Sequence, residues 1–445
     1  MEIGILLAVL LGIVVLLALI LGFKLPAFIS LLIASIVAGI AAGLDAGEVM
    51  DTVKNGMAST LGFVATVVGL GAMFGAILEH SGGAKSIANY LINKLGEERA
   101  PMSMVITGFV VAIPVFFDVA FIILVPVIYA LQKRTGKSLL LYAIPLLAGL
   151  AITHAFIPPT PGPVAVADII QADLGWVILL GILAGIPTAI CSGLLFGKYI
   201  GKEIYIDAPM SVEGEQVAED LPPIGMIIAI IAVPIVLILF STFTTSGLIS
   251  LPEGIITEVV GIIGHPFGAL IIANLLVWYL LGLRRGFAPK TLLNISSKSM
   301  ETAGTIILLT GAGGVFKQVL VDTGAGKMIA ESLNELGFPL IVFAFLAAVL
   351  IRIIQGSATV AMITAAGLVA PLISIDAMSA GQLAAIVIAI AAGASTFSHV
   401  NDSGFWLVKQ YLGLDEKQTF RSWTMMTTIL SLTGFVMSVI LFVLF

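Results

Sequence analysis

Apolar runs long enough to cross a bilayer alternate with short polar turns along this 445-residue chain. A crossing helix needs about 20 predominantly apolar residues. In the first half the pattern predicts spans near 3–22, 26–43 and 58–79, then an amphipathic helix near 84–95. Segment 102–131 is apolar but interrupted at Ile113-Pro114-Val115-Phe116-Phe117-Asp118. Segment 139–171 is interrupted between Thr153 and Gly162, and an unbroken span follows near 176–197. The second half has the same order: 224–242, 266–283, 300–320, an amphipathic stretch 326–336, interrupted segments 339–373 and 382–411, and a last span 421–444. The expected fold is an all-α polytopic membrane protein. Membrane repeat 1 covers 1–200, a polar linker 201–223, and membrane repeat 2 224–445.

The two halves also share residues. Gly71 to Leu91 overlays Gly313 to Leu333 at a constant offset of 242, with eight of 21 positions identical, among them Gly71/Gly313, Phe74/Phe316, Leu78/Leu320 and Gly82/Gly324. Further on, Pro126 meets Pro371 and Thr153-His154 meets Ser398-His399 at offset 245. An apolar chain of two homologous halves is the usual plan of a secondary transporter.

Composition agrees with the pattern. The chain is 59% hydrophobic and 10% charged, against roughly 25% charged in a soluble domain. Its one cysteine, Cys191, sits in an apolar run and makes no disulfide framework. Residues 3–22 lack a basic leader and a small-residue cleavage site, so they read as a retained span. If each first interrupted segment is a re-entrant hairpin and each second a crossing but discontinuous helix, each half crosses five times. An odd count inverts the second half relative to the first. With both termini outside, 16 of the 20 Lys and Arg collect on the cytoplasmic side, including Lys24, Lys85, Lys94, Lys133, Arg134, Lys137, Arg284, Arg285 and Lys298, as the positive-inside rule requires. Lys54, Lys317 and Lys327 fall outside. Flanks 85–99 and 133–137 share one side, as a hairpin demands, and linker 201–223 is cytoplasmic.

The interruptions carry the candidate chemistry. Backbone at membrane depth leaves the helix only where protein or a water-filled cavity satisfies it. The N-termini of the half-helices then offer free N–H groups and positive dipole ends to an anion. In the first break Phe117 and Asp118 stand out, Asp118 being the only charge between Arg99 and Lys133. It reads as a proton carrier or substrate contact, or as a cap of the half-helix. In the second, four prolines within Pro158–Pro163 forbid a continuous helix. There Thr153, Thr160 and Gly162 are candidate substrate contacts, and His154 titrates near neutral pH. Asp168, beyond the break, reads as solvated or as a helix cap. The third break contributes Arg352, Gly356, Ser357 and Thr359. Arg352 suits a substrate carboxylate, or pairs with an acid such as Asp402 or Asp118. The fourth, densest in polar groups, holds Ser398, His399, Asn401, Asp402 and Ser403. Asp118, His154 and His399 are the candidates for proton coupling. His80, His265, Glu301, Lys85 and Lys327 fall near predicted surfaces and read as structural.

No enzyme signature is present: no Walker loop, no HExxH, no GxSxG. Gly311-Ala312-Gly313-Gly314 lacks the Lys-Ser/Thr of a phosphate loop and reads as small residues for close helix packing. No cofactor, metal or nucleic acid is expected. A channel or an intramembrane enzyme using Ser398-His399 are the competing classes.

Long stretches around these breaks are recognisable. The chain resembles the gluconate permeases of the gluconate:proton symporter family, within the ion transporter superfamily, over essentially its whole length. The resemblance rests on Thr153-His154-x-Phe156-x-Pro158-Pro159-x-Pro161-Gly162-Pro163, on Gly356-Ser357-Ala358-Thr359-Val360-Ala361, on Ser398-His399-Val400-Asn401-Asp402-x-Gly404-Phe405-Trp406-Leu407, and on Phe316-Lys317-Gln318-Val319-Leu320-Val321-Asp322. It implies uptake across the cell (cytoplasmic or inner) membrane of a small organic anion, gluconate or a related small hydroxy-carboxylate, driven by protons, with sodium the other coupling ion broken helices can hold. It further implies an inverted-repeat fold, an elevator-like mover against a scaffold, and a homodimer. Two positions depart from the family's gluconate members. They commonly carry His where this chain has Thr160, and Glu where it has Asp118. Both bear on the substrate, since the family also includes carriers for D-serine and other small hydroxy acids.

Overall fold

The computed structural model describes residues 2–208, 221–245, 249, 254–325, 328, 337–399 and 402–445, and among these it is helical with no strand. The first half comprises α1 (Glu2–Leu17), α2 (Ala27–Ala41), α3 (Ala46–His80), α4 (Gly83–Leu95), α5 (Ala100–Val111), α6 (Phe117–Thr135), α7 (Leu140–Phe156), α8 (Pro161–Ile170), α9 (Leu174–Thr188) and α10 (Phe196–Glu203). The second comprises α11 (Ile224–Thr245), α12 (Ile255–Gly264), α13 (Pro266–Leu276), α14 (Pro289–Asp322), α15 (Leu340–Gln355), α16 (Ala358–Val369), α17 (Ala380–Ala394), α18 (Ser403–Leu412), α19 (Glu416–Thr419) and α20 (Met425–Leu444). Four π-helical segments, 18–22, 189–195, 277–282 and 420–424, continue α1, α9, α13 and α19. Among the described residues, seven helices are long and apolar enough to cross a membrane.

The four interruptions fall where the residues forbid a helix. Pro114 lies in the gap between α5 and α6, and Pro158 and Pro159 in the gap between α7 and α8. Gly356, in the left-handed region at φ 89°, ends α15. Asp402 caps α18, and residues 395–399 before it have left the helix of α17.

Two elements differ from the apolar pattern. Helices α3 and α14 begin at 46 and 289, not near 58 and 300. Their polar first turns suit a helix start: Asp45 and Glu48 make a reciprocal capping box at α3, and Pro289 takes the first turn of α14. Hydropathy measures the bilayer and not the helix: at about 1.5 Å per residue, 35 residues reach about 52 Å, well past a core of about 30 Å. Helix α12 is an element the pattern did not predict; its ten residues are too few to span. Most of the linker, residues 209–220, lies outside the described residues. So does the amphipathic stretch 326–336 apart from Met328.

Two packed groups form. In one, α3 lies along α14 with α2 and α13 against them. The close approach uses glycine: a side chain on Gly56 would meet Val315 Cα at 2.7 Å, and Gly314 faces Thr60 and the Gly56 carbonyl. In the other, α7 packs on α5 and α17 on α15, with α17 also against α9 and α20. Helix α17 is buried almost end to end. The groups meet unevenly. Helix α8 packs on α3 and α14, and α16 packs on α14. Their counterparts in the other half, α18 and α6, have no comparable packing on α3 or α14.

Candidate functional site

The four breaks converge on one cavity of about 510 Å³. Its wall includes Phe117 and Asp118 at the start of α6 and His154 near the end of α7. It also includes Arg352, Gly356, Ser357 and Thr359 around the third break, and Asp402 and Ser403 at the start of α18. Nine of the candidate residues therefore share a space the size of a small-ligand pocket.

Two half-helix N-termini open onto it. At α6 the first backbone bond is Ala120 N–H to the Phe116 carbonyl, so the N–H groups of residues 117–119 stay free of intrahelical partners. Asp118 lies in this first turn. It makes no capping bond, and no hydrogen bond or ion pair among the described residues. At α16, Ser357 Oγ accepts from Val360 N–H at 3.4 Å, and Ser357 N–H donates to Gln355 Oε1 at 2.9 Å. The Ser357 hydroxyl proton remains available, as does the Thr359 hydroxyl, which is without a partner among the described residues.

The cation of the site is already engaged. Arg352, 4% exposed, forms an ion pair through Nη2 with Asp402 Oδ2. Its Nη1 donates to the Gly356 carbonyl, and its Nε to the Thr396 carbonyl at 3.3 Å. Of the two readings its sequence left open, the acid pair is the one seen, while the guanidinium still borders the cavity. Asp402 also accepts from Gly404 N–H at 3.0 Å and from the Ser398 hydroxyl. Trp423 Nε1 in turn donates to Ser398 Oγ at 2.6 Å. The buried Arg352 and the largely buried Asp402 are therefore both paired and hydrogen-bonded, as charges withdrawn from water require.

The remaining candidates sit around this space and do not line it. Thr153 is buried, and its hydroxyl donates to the Phe109 carbonyl at 2.9 Å, tying α7 to α5. Thr160 Oγ1 donates to the Ile157 carbonyl at 2.6 Å and borders a separate narrow crevice with Pro159 and Pro161. Gly162 receives the Met362 side chain so closely that a Cβ would displace it. Ser398 lies behind Asp402. His399 Nε2 is 3.0 Å from the Ile353 carbonyl, so Ser398 and His399 face different partners. His154 differs from this counterpart: its Nδ1 is buried without a hydrogen-bond partner among the described residues, and its ring meets Phe116 edge-on at 6.4 Å. Asn401 lies outside the described residues. Asp168 is half-buried on α8, where its charge interacts with that of Lys317.

Some wall residues gave no local signal. Trp423 and Thr427, from the last span, and Gln355 and Met362 complete the lining. The polar run Arg421-Ser422-Trp423-Thr424 within an otherwise apolar helix was the available clue. It coincides with the π-helical segment 420–424, a deformation frequent at functional sites.

Comparison with known proteins gives the family and the fold. The family model described as GntP family permease matches residues 4–444. The chain is similar to the low-affinity gluconate transporter of Escherichia coli K12, 41% identical over 397 residues, which are 89% of this chain and 88% of that protein. It is 40% identical over 401 residues to the gluconate permease of Pseudomonas aeruginosa, covering 88% of each. It is 39% identical over 406 residues to the inner membrane permease YgbN of Escherichia coli K12, again covering 88% of each. Among solved structures, the Alcanivorax borkumensis YdaH transporter superposes with a TM-score of 0.64 over 94% of this chain and 97% of that one. At 15% identity it shows the fold alone. With the family model matched over nearly all of its length, and relatives near 40% identity named as permeases and transporters, this chain belongs to the GntP family of membrane permeases.

Proposed function

We propose that the protein is a secondary active transporter that imports gluconate, or a related small hydroxy-carboxylate, by proton symport. The observation that carries this reading is Asp118: a carboxylate without a partner among the described residues, in a cavity onto which two half-helix N-termini open. The substrate carboxylate docks at the free N–H groups of α16 and at Ser357 and Thr359. Its hydroxyls meet Ser403, Asp402 and Asn401. The cavity already holds one carboxylate without a cation of its own, so a second anion binds best when Asp118 carries a proton. That links the two cargoes. His154, with its orphaned Nδ1, is the second candidate for the proton, and His399 acts from behind the site. The relatives named for gluconate support the substrate class.

The charge distribution supports termini outside, a cytoplasmic linker 201–223, and two inverted repeats of five crossings with α5–α6 and α15–α16 as re-entrant hairpins. The group containing α3 and α14 is then the scaffold, and the protein works as a homodimer. The test is radiolabelled gluconate uptake into proteoliposomes under an inward proton gradient without sodium. Accumulation that collapses with a protonophore is the expected result. Absence of uptake by folded protein overturns gluconate as the substrate, and competition among glycerate, other aldonates and D-serine then identifies the cargo. Accumulation only with sodium overturns the proton.

A further inference from the structure

A second cavity, about 350 Å³, lies directly behind the hairpin tip. Phe116 and Val119 belong to the walls of both this cavity and the central one. Its far end is polar, with Glu79 and His80 from α3 and Asn294 and Lys298 from α14. Glu79 and His80 then border a third space of about 340 Å³ that reaches Lys85 and Arg285. The three spaces form a series from Asp118 to a rim of basic residues, with the Phe116 ring as the first partition.

Helices α8 and α16 pack on the α3–α14 pair, whereas α18 and α6 have no comparable packing on it among the described residues. The two ends of that pair differ in the same sense. At one end Thr52 Oγ1 donates to Asp322 Oδ2 at 2.6 Å. The repeat-equivalent residues at offset 242, Asn294 and His80, make no such bond and stand in the cavity wall. The α6 hairpin still touches α3, because the Pro114 carbonyl sits against Gly75 where no side chain fits. Lys298 forms no hydrogen bond or ion pair among the described residues, so it is a free cation at the mouth.

We propose that this second cavity is a transient site for the small hydroxy-carboxylate anion between the central cavity and the cytoplasm, with Phe116 as the partition and Lys298 as the anion contact. Glu79 opposes the anion while ionised and Lys298 and His80 favour it, so the site holds the cargo weakly and passes it on. This inference rests on the transport reading above and on its orientation.

Two measurements test it. In proteoliposomes of uniform orientation, Lys298→Gln is expected to raise the KM for gluconate efflux from the cytoplasmic face at least fivefold, with the KM for uptake from the outer face unchanged. A residue of merely structural importance moves both. Equal shifts at both faces, or none, overturn the assignment of Lys298. Separately, Ala76→Cys in a Cys191→Ser background reports on access without any substrate. A membrane-impermeant thiol reagent is expected to label it from the cytoplasmic face and not from the outer one. Labelling from the outer face, or none in protein shown to be folded by its melting transition, overturns the route. If wild-type protein moves no gluconate but Ala76→Cys labels from the cytoplasmic face, the substrate reading has failed and the route stands.

Discussion

Replacing Asp118 with asparagine removes one charge and little volume, so its effect isolates electrostatics. A cavity of about 510 Å³ is about 10 Å across if taken as a sphere. A bound carboxylate therefore lies roughly 6–10 Å from Asp118, and at an effective dielectric constant of about 20 the repulsion is about 1.7–2.8 kcal/mol. That corresponds to a factor of about 20–100 in affinity, at 1.4 kcal/mol per tenfold. The sign follows from the protonation state. Below the carboxyl's titration Asp118 is neutral and the anion binds fully; above it the repulsion appears and affinity falls. Wild-type protein should lose gluconate affinity by about that factor as pH rises through the titration. Asp118→Asn should bind at every pH as wild type binds when acidified, because its neutral amide mimics the protonated acid. It should also exchange internal for external gluconate while failing to accumulate it against a gradient, since it carries no proton. Binding by calorimetry across pH, with counterflow and uphill uptake on the same preparations, makes the comparison. Any pH dependence that survives in the mutant points to the other two proton candidates, His154 and His399. A mutant that accumulates gluconate uphill at the wild-type rate would falsify the role given to Asp118.

Three further outcomes are expected. Arg352→Ala leaves Asp402 buried and unpaired, at a cost of about 3–5 kcal/mol, and should lower the melting transition in detergent and abolish uptake; Arg352→Lys, which keeps the charge but not the forked donor, should recover part of the stability. Trp423→Phe keeps the ring beside Phe117, whose centroid is 5.6 Å away, and deletes the bond to Ser398; a loss of about 1 kcal/mol and a rise of several-fold in uptake KM are expected, and an unchanged KM would count against a contribution to the site. Gly75→Ala drives a methyl into the Pro114 carbonyl and should cut uptake at least tenfold, whereas Gly62→Ala, in the same helix with nothing within 4 Å, should transport as wild type.

Much of the fold was legible because its causes are local. Membrane helices announce themselves by apolar length, and proline clusters and Gly356 stop them wherever they occur. The ends of α3 and α14 were not legible, since a capped polar turn extends a helix without changing its hydropathy. At the site, Asp118, Arg352 and Asp402 stood out because charge in an apolar run is costly. Which partner Arg352 takes was a question of three-dimensional distance that no spacing answers. The same limit applies to Thr153 and Thr160. They belong to a conspicuous motif, yet their hydroxyls are spent on the carbonyls of Phe109 and Ile157. Trp423 is the reverse case, an inconspicuous residue carried into the wall by the packing of the last helix.

The grip of Arg352 has a mechanical meaning. One side chain holds the tip of α15–α16 through the Gly356 carbonyl, the unwound stretch through Thr396, and the start of α18 through Asp402. Three chain segments are thus riveted at a point, and any hinge between them must first break the bonds of that side chain. The matching tip in the first half has no such rivet: Asp118 is unattached among the described residues, and Pro114 rests on a bare glycine. Two halves drawn to the same outline are therefore tied down unequally, and the tip with fewer ties is the one beside the spaces that lead to the basic rim.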